Sequence, residues 1–333
     1  MTNSAANVTS GDRRLQALRR WIEQTLGSVP DLAPASVDAS FRRYFRLSGP
    51  GGATLIAMDA PPAHEDTARF VAVAELMRAA GLHVPFVHRA DPAQGFALLS
   101  DLGTQTYLEA IGPANADALI DAALEALVRL QAATRAGQLP PYDATVLQRE
   151  LDLFPDWYVR RHRGIRPGKA WADAWRGLCE RLIAEALVQP KVYVHRDYIL
   201  RNLMVSDPCP GVIDFQDALL GPIAYDLLTL FRDAFHSWDE TWIELKVAHY
   251  LGLAREAGVP VPAEDAVFTR WFDLIGVQRH LKVAGIFARL AYRDGKPRYL
   301  AEVPRFLGYL RAIAPRYGET EALIPMLDEL DAD

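Results

Sequence analysis

The residues best suited to chemistry lie in one stretch, Tyr193-Val194-His195-Arg196-Asp197-Tyr198-Ile199-Leu200-Arg201-Asn202-Leu203-Met204-Val205, and in the following Gly211-Val212-Ile213-Asp214-Phe215-Gln216-Asp217. Asp197 is followed five positions later by Asn202, and twelve positions after that by Asp214. An aspartate, then an asparagine, then an aspartate on the next strand is the set that phosphoryl transfer requires. Moving a γ-phosphoryl group needs little covalent help. It needs a carboxylate that orients the attacking hydroxyl and takes its proton, and Mg2+ bridging phosphate oxygens. Asp197 is the expected base. Asn202 and Asp214 carry hard oxygen ligands suited to Mg2+. Any one of the three alone reads as an ordinary buried polar residue in an apolar hairpin. The combination, with His195 two positions before Asp197 and apolar strands on both sides, points to chemistry.

Positioning this set takes two short strands flanking the loop, which bring Asn202 and Asp214 to one end of a hairpin beside Asp197. Upstream, Leu15, Leu18, Ile22 and Leu26 recur at helical spacing and predict an opening helix stopped near Gly27 and Pro30. Residues 37–47 and 54–58 read as strands joined by a turn at Gly49-Pro50-Gly51-Gly52, residues 68–80 as a helix, and 84–87 and 96–99 as short strands. After Gly103 the pattern becomes helical, with Ile120, Leu124, Leu127 and Leu130 on one face, Leu147, Leu151 and Phe154 opening a helix that Pro155 perturbs, and only helices expected beyond Pro222. The expected fold class is α+β, a small antiparallel-sheet N-lobe over residues 1–102 and a mostly helical C-lobe over 103–333. Gly164-Ile165-Arg166-Pro167-Gly168-Lys169 is not a P-loop: its glycines are separated by three residues and Ala170 follows the lysine.

Composition narrows the class further. The 333 residues are 50% hydrophobic and 23% charged, which excludes extended disorder. Thirty-six Lys and Arg against 42 Asp and Glu give a net charge of −6, unlike a nucleic-acid binder. The two cysteines, Cys179 and Cys209, make no disulfide framework. Without an apolar leader or a membrane-length apolar run, a cytoplasmic protein acting on a small molecule is expected, with no membrane partner and an open oligomeric state.

The 193–205 and 211–217 segments resemble the aminoglycoside phosphotransferase (APH/choline kinase-like) family of the protein-kinase-like fold. Gly221-Pro222 followed by Tyr225-Asp226-Leu227 is similar to a further signature of that family. The resemblance implies that Asp226 ties down the catalytic loop by hydrogen bonds, helped by His195. It implies ATP·Mg2+ between the lobes near residue 102, with adenine against residues 98–101, where Leu99 and Asp101 are the expected contacts. Eleven residues separate Asp214 from Asp226, too few for the segment with which protein kinases dock a peptide, so the acceptor is a small molecule. The 38–46, 58–62, 99–103, 213–218 and 278–289 stretches look like the branch that phosphorylates the anomeric hydroxyl of N-acetylmuramate and N-acetylglucosamine in cell-wall recycling.

One departure from the family pattern matters. The strand Thr54-Leu55-Ile56-Ala57-Met58-Asp59 has no lysine to hold the phosphates, and near Ala72, where its partner glutamate is expected, only Glu75 is close. Arg42, Arg43 and Arg46, in the loop expected to cover the nucleotide together with Ser40, are the candidate replacements. For the acceptor, Arg279, Lys282 and Arg289 share a helical face, with His280 beside them and Asp217 near the metal aspartate. That basic face disfavours a polycationic aminoglycoside. Three other readings are a same-fold kinase for an aminoglycoside or amino alcohol, a silent nucleotide-binding regulator motivated by the missing lysine, and a partner-binding module. The last has only Trp238 and Trp242 in its favour.

Overall fold

A computed structural model of the chain describes residues 4–28, 31–36 and 41–331. In chain order its elements begin α1 (Ser4–Leu26), β1 (Ala33–Ser36), β2 (Arg43–Ser48), β3 (Thr54–Asp59), α2 (Thr67–Ala79), β4 (Val87–Asp91), β5 (Phe96–Ser100), α3 (Tyr107–Ala110) and α4 (Ala116–Ala132). There follow α5 (Ala144–Leu151), α6 (Lys169–Val188), β6 (Lys191–Val194), β7 (Leu203–Met204), β8 (Gly211–Val212) and β9 (Leu219–Pro222). The chain closes with α7 (Tyr225–Phe231), α8 (Glu240–Glu256), α9 (Asp265–Asp294), α10 (Val303–Ile313) and α11 (Leu323–Asp331). This is the α+β class expected, an antiparallel sheet followed by a helical remainder. Two compact units form, Met1–Leu119 with Arg201–Gln216, and Ile120–Leu200 with Asp217–Asp333.

In the first unit the sheet runs β1-β2-β3-β5-β4, every pair antiparallel. Pro50–Gly52 closes the β2–β3 hairpin, where Gly51 and Gly52 take φ of +71° and +84°, angles that cost glycine nothing. Strand parity puts Leu47, Leu55, Ala57, Phe96 and Leu98 on one face, and Leu18, Trp21 and Ile22 of α1 pack there at helical spacing. Burying a side chain of this size is worth about 1.5–3 kcal/mol. The same face carries Asp59, wholly buried, opposite Arg43 in the β2–β3 register. Asp59 accepts from Arg14 Nε at 2.8 Å and Arg43 Nε at 3.0 Å, so one carboxylate binds α1 to the sheet.

Two expectations shift. The strand expected at 84–87 is instead β4, which lies at the sheet edge with His88 and Arg89 exposed. Its apolar content is low because an edge strand is half solvated. The N-lobe, expected to stop at residue 102, takes in residues 103–119 and the β7–β8 hairpin as well. Two-residue strands have few ladder partners of their own. Val212 N donates to His83 O at 2.7 Å and Val205 N to Gln105 O at 2.9 Å, and these bonds pull the hairpin into the first unit.

The second unit is built on α9, 30 residues long and buried continuously from Phe272 to Gly285. A helix buried nearly all round is the central element of its layer, and the polar side chains it carries need partners there. Leu151, Phe154, Leu178, Leu182, Phe306 and Leu327 pack into the same core. Gly285 lets the chain at Leu153 approach so closely that a Cβ would stand 2.4 Å from its carbonyl carbon. As expected from Pro155, helical geometry changes there, to a π-helical stretch over Phe154–His162. Among the described residues no helix is long and apolar enough to cross a membrane.

Asp59→Ala should lower unfolding stability by about 2–3 kcal/mol, because two guanidiniums lose a buried partner and both are partly screened by solvent. Urea unfolding measures this, and a loss below about 0.5 kcal/mol would remove the carboxylate from its anchoring role.

Candidate active site

In the second unit β6 pairs antiparallel with β9, Lys191 opposite Pro222 and Val194 opposite Leu219. The loop leaving β6 begins with His195 and Arg196, whose backbone N–H groups donate to the two oxygens of Asp226 at 2.6 and 2.9 Å. Asp226 sits in the first turn of α7, fully buried. Burial pushes its carboxyl up to about 7, against the two N–H donors that favour the ionised form. His195 is wholly buried, its ring 5.7 Å from that of Tyr198. Tyr198 OH donates to Ala123 O at 2.8 Å, and Thr229 Oγ1 to Tyr198 O at 3.0 Å, so the loop is held after Asp197 as well as before it. Asp197 itself is exposed.

Arg196 takes φ +78°, in the left-handed region that a side chain disfavours. Its guanidinium explains why the conformation persists. Nη2 donates to Glu150 Oε1 at 2.5 Å and Nη1 to Asp217 O at 3.3 Å. Glu150, on α5, is 5% exposed and collects three more donors: Tyr142 OH, Lys282 Nζ at 3.0 Å and Gln278 Nε2 at 3.1 Å. Burial alone would raise the Glu150 carboxyl, but Lys282 and Arg196 overcome it and hold it at about 2. Lys282 also donates to Tyr225 OH at 3.1 Å, and despite full burial its pKa is raised by Glu150, Tyr225 and Asp197. Asp197 therefore stands beside a cluster in which one buried carboxylate, Glu150, lies between two cations, Arg196 and Lys282. Sequence reasoning missed Glu150. The signal was present: it lies on the Leu147, Leu151, Phe154 stripe of α5, where an acid needs a buried cation.

In the first unit Asn202 and Asp214 meet. Asn202 is 6% exposed, its Nδ2 donates to Asp214 Oδ2 at 3.3 Å, and its carbonyl accepts from Ile213 N at 3.0 Å. Asp214 is half-buried with φ +65°, and among the described residues it and Arg196 are the left-handed residues that are not glycine. Gln216 Nε2 donates to Asp214 Oδ1 at 2.7 Å, a contact not anticipated. Among the described residues no group of three or more His, Cys, Asp or Glu forms a metal cage. Asn202 and Asp214 fit Mg2+, which typically takes one or two protein ligands and completes its shell with phosphate and water.

The structure does not gather the three arginines on one site. Arg42 pairs with Glu65 at 2.5 Å, and Phe41 beside it stacks on His64. Arg43 lies on the α1 face with Asp59. Arg46, on the opposite face by strand parity, is bidentate to Asp101 at 2.6 and 3.0 Å. Two expected nucleotide contacts, Arg46 and Asp101, thus hold each other, and Leu99 is 2% exposed inside β5. Ser40 lies outside the described residues. Glu75 is exposed on α2, and β3 carries no lysine.

The expected basic face of α9 is a correction. Arg279, His280 and Lys282 are buried, because α9 is the central helix of its unit. Arg279 donates to Arg232 O at 3.2 Å. His280 packs on Phe306 and Tyr309, and burial drives its pKa well below the usual range. Arg289 is half-buried and Asp217 exposed. Without a solvated basic face, the charge argument against a cationic acceptor falls. Trp238 and Trp242 stack on each other, 4.3 Å between centroids.

The phosphotransferase enzyme family model (APH) matches residues 31–261. An N-acetylmuramate/N-acetylglucosamine kinase of Pseudomonas aeruginosa is 50% identical over 96% of this chain and 98% of its own. Kinases of the same name from Neisseria meningitidis and Caulobacter vibrioides are 46% and 32% identical, over 95% and 82% of this chain and 96% and 85% of their own. Among solved structures, the ADP-bound aminoglycoside phosphotransferase APH(2'')-Ib aligns with TM-score 0.60 at 14% identity, over 87% of this chain and 97% of its own. The choline kinase LicA of Streptococcus pneumoniae aligns with TM-score 0.60 at 12% identity, over 89% and 99%. These two likenesses establish the fold.

Two substitutions test the loop's support. Glu150 has a depressed pKa, so its stabilisation is complete above pH 4.5 and is lost as pH falls through about 2. That span corresponds to about 3 kcal/mol. Glu150→Gln should lose that amount at pH 7 and flatten the acid limb of unfolding between pH 4.5 and 2; an unchanged limb would contradict the assignment. Arg196→Gly should be more stable than Arg196→Ala by about 1 kcal/mol, since glycine relieves the left-handed strain and both lose the guanidinium. Equal stabilities would mean the strain is not there.

Proposed function

Because this chain belongs to the phosphotransferase enzyme family, we propose that it is an ATP- and Mg2+-dependent kinase that phosphorylates the anomeric hydroxyl of N-acetylmuramate or N-acetylglucosamine, giving the sugar 1-phosphate. The observation that carries the acceptor is the kinship, over nearly the whole chain, with kinases named for these two sugars. The Asp197, Asn202 and Asp214 set supports the reaction type. We place the protein in the cytoplasm, where ATP and recycled cell-wall sugars meet.

Asn202 and Asp214 would hold Mg2+ through their side-chain oxygens. When bound, the ion neutralises charge on the phosphate oxygens. Asp197 accepts the proton of the attacking hydroxyl. An anomeric hydroxyl is more acidic than other sugar hydroxyls, so an exposed carboxylate can take its proton. The loop need not rearrange to present Asp197, since Asp226 holds the backbone just ahead of it and Tyr198 is anchored just after it. The new bond joins the anomeric oxygen to the γ-phosphorus; the bond to the β-phosphate oxygen breaks and ADP leaves.

A coupled ADP-release assay with N-acetylmuramate, N-acetylglucosamine, choline and kanamycin tests the reading. Turnover is expected with one or both amino sugars. Asp197→Asn should lower kcat by about 10²-fold or more while leaving the ATP KM near wild type. Near wild-type turnover of that variant would remove Asp197 as base, and turnover confined to choline or kanamycin would remove the acceptor.

A further inference from the structure

The triphosphate of the proposed nucleotide carries more negative charge than one Mg2+ neutralises, and β3 offers no lysine. Arg42, Arg43 and Arg46 are each committed to a carboxylate. Another cation in the first unit is placed differently. Arg69 lies in the first turn of α2, its backbone N–H capped by Asp66 at 2.9 Å. Its Nε donates to the carbonyl of Gln216 at 3.0 Å. Gln216 is two residues beyond Asp214 and grips that carboxylate with its own amide. The next residue, Phe70, packs on Phe215 at 5.1 Å. Consecutive residues of α2 therefore fasten the helix to the segment carrying the metal aspartate.

Among the described residues the two terminal nitrogens of Arg69 have no hydrogen bond and no ion pair. A half-buried guanidinium with its Nε fixed and its outer edge unpartnered is preorganised for a bidentate oxyanion. We propose that Arg69 binds the terminal phosphates of the nucleotide held at Asn202 and Asp214 and takes the place of the missing strand lysine. The cation has moved from the strand to the helix, where a partner glutamate would otherwise be expected. Arg69 makes and breaks no bond. It offsets charge on the phosphate oxygens as the γ-phosphoryl group leaves ADP. The proposal rests on reading Asn202 and Asp214 as the metal site, and it is independent of the acceptor.

Calorimetric titration of the full chain with AMP, ADP and ATP, each with Mg2+, tests it in three variants. Arg69→Lys keeps the charge, Arg69→Gln keeps an N–H donor for Gln216 O without charge, and Arg69→Met keeps neither. ATP and ADP affinity should fall about 10- to 100-fold in the Gln and Met variants and less in the Lys variant, with AMP affinity unchanged in all three. Turnover of ATP should follow the same order, with unfolding midpoints near wild type. If AMP, ADP and ATP weaken together, or Gln restores binding as well as Lys does, Arg69 is only a strut between α2 and Gln216 and the proposal fails. Wild-type ATP affinity in all three variants also overturns it. Nucleotide binding without transfer to any amino sugar would sink the acceptor reading and leave Arg69 to be judged by the binding series. Absence of any nucleotide binding by the wild type would sink both.

Discussion

One buried carboxylate takes two consecutive backbone N–H groups: Asp226 holds His195 and Arg196, and so fixes the peptide immediately before Asp197. Much of the second unit serves this grip. Holding Arg196 left-handed costs about 1–2 kcal/mol. The opposing contributions arrive from separate elements: Asp226 from α7, Glu150 from α5, Lys282 and Gln278 from α9, and Tyr142 from the segment before α5. Arg196, half-buried, and Lys282, buried, both pair with the buried Glu150. Each would be prohibitive alone, and together they are tolerable because every one finds an opposite partner within hydrogen-bond reach. A cluster of this kind is a poor source of stability but specifies geometry. The positions of three helices are tied to one loop.

The first unit repeats the device on a smaller scale. Asp214 is also left-handed, and its two oxygens are held by the amides of Asn202 and Gln216. Among the described residues, the two left-handed residues that are not glycine are thus Arg196, immediately before Asp197, and Asp214 itself, so the strain sits where phosphoryl transfer would need side chains aimed. The β7–β8 hairpin that presents Asn202 and Asp214 is too short to stand alone, and its ladder is completed by residues 83 and 105. Asp59 has a related task in the sheet, where it ties α1 to β2 and β3 through two arginines.

Much of this was legible in the sequence wherever residue type and spacing carry the information. The hairpin turn at 49–52, the helix at 67–79, the perturbation at Pro155 and the helical remainder follow from local signals. So does the Asp197, Asn202, Asp214 series. What stayed hidden depends on partners distant in the chain. Arg43 reads as a cation for the nucleotide's phosphates until Asp59, opposite it in register, and Arg14, 45 residues before Asp59, are seen to close on each other. Lys282 and Arg279 read as a basic face because spacing records which residues share a side of a helix, not whether that side meets solvent. Glu150 carries no motif, and only its place on an apolar stripe marks it. Edge strand β4 is polar for the same reason that it is an edge.

In the proposed reaction the phosphoryl group goes to the anomeric oxygen of an N-acetyl amino sugar. The direct test is phosphorus NMR of the product formed from ATP·Mg2+ and a sugar labelled with carbon-13 at the anomeric position. Coupling between the labelled carbon and the new phosphorus signal is the result predicted, for N-acetylmuramate or N-acetylglucosamine or both. A phosphate on any other oxygen of either sugar, or ADP formed with no phosphorylated sugar, would contradict it.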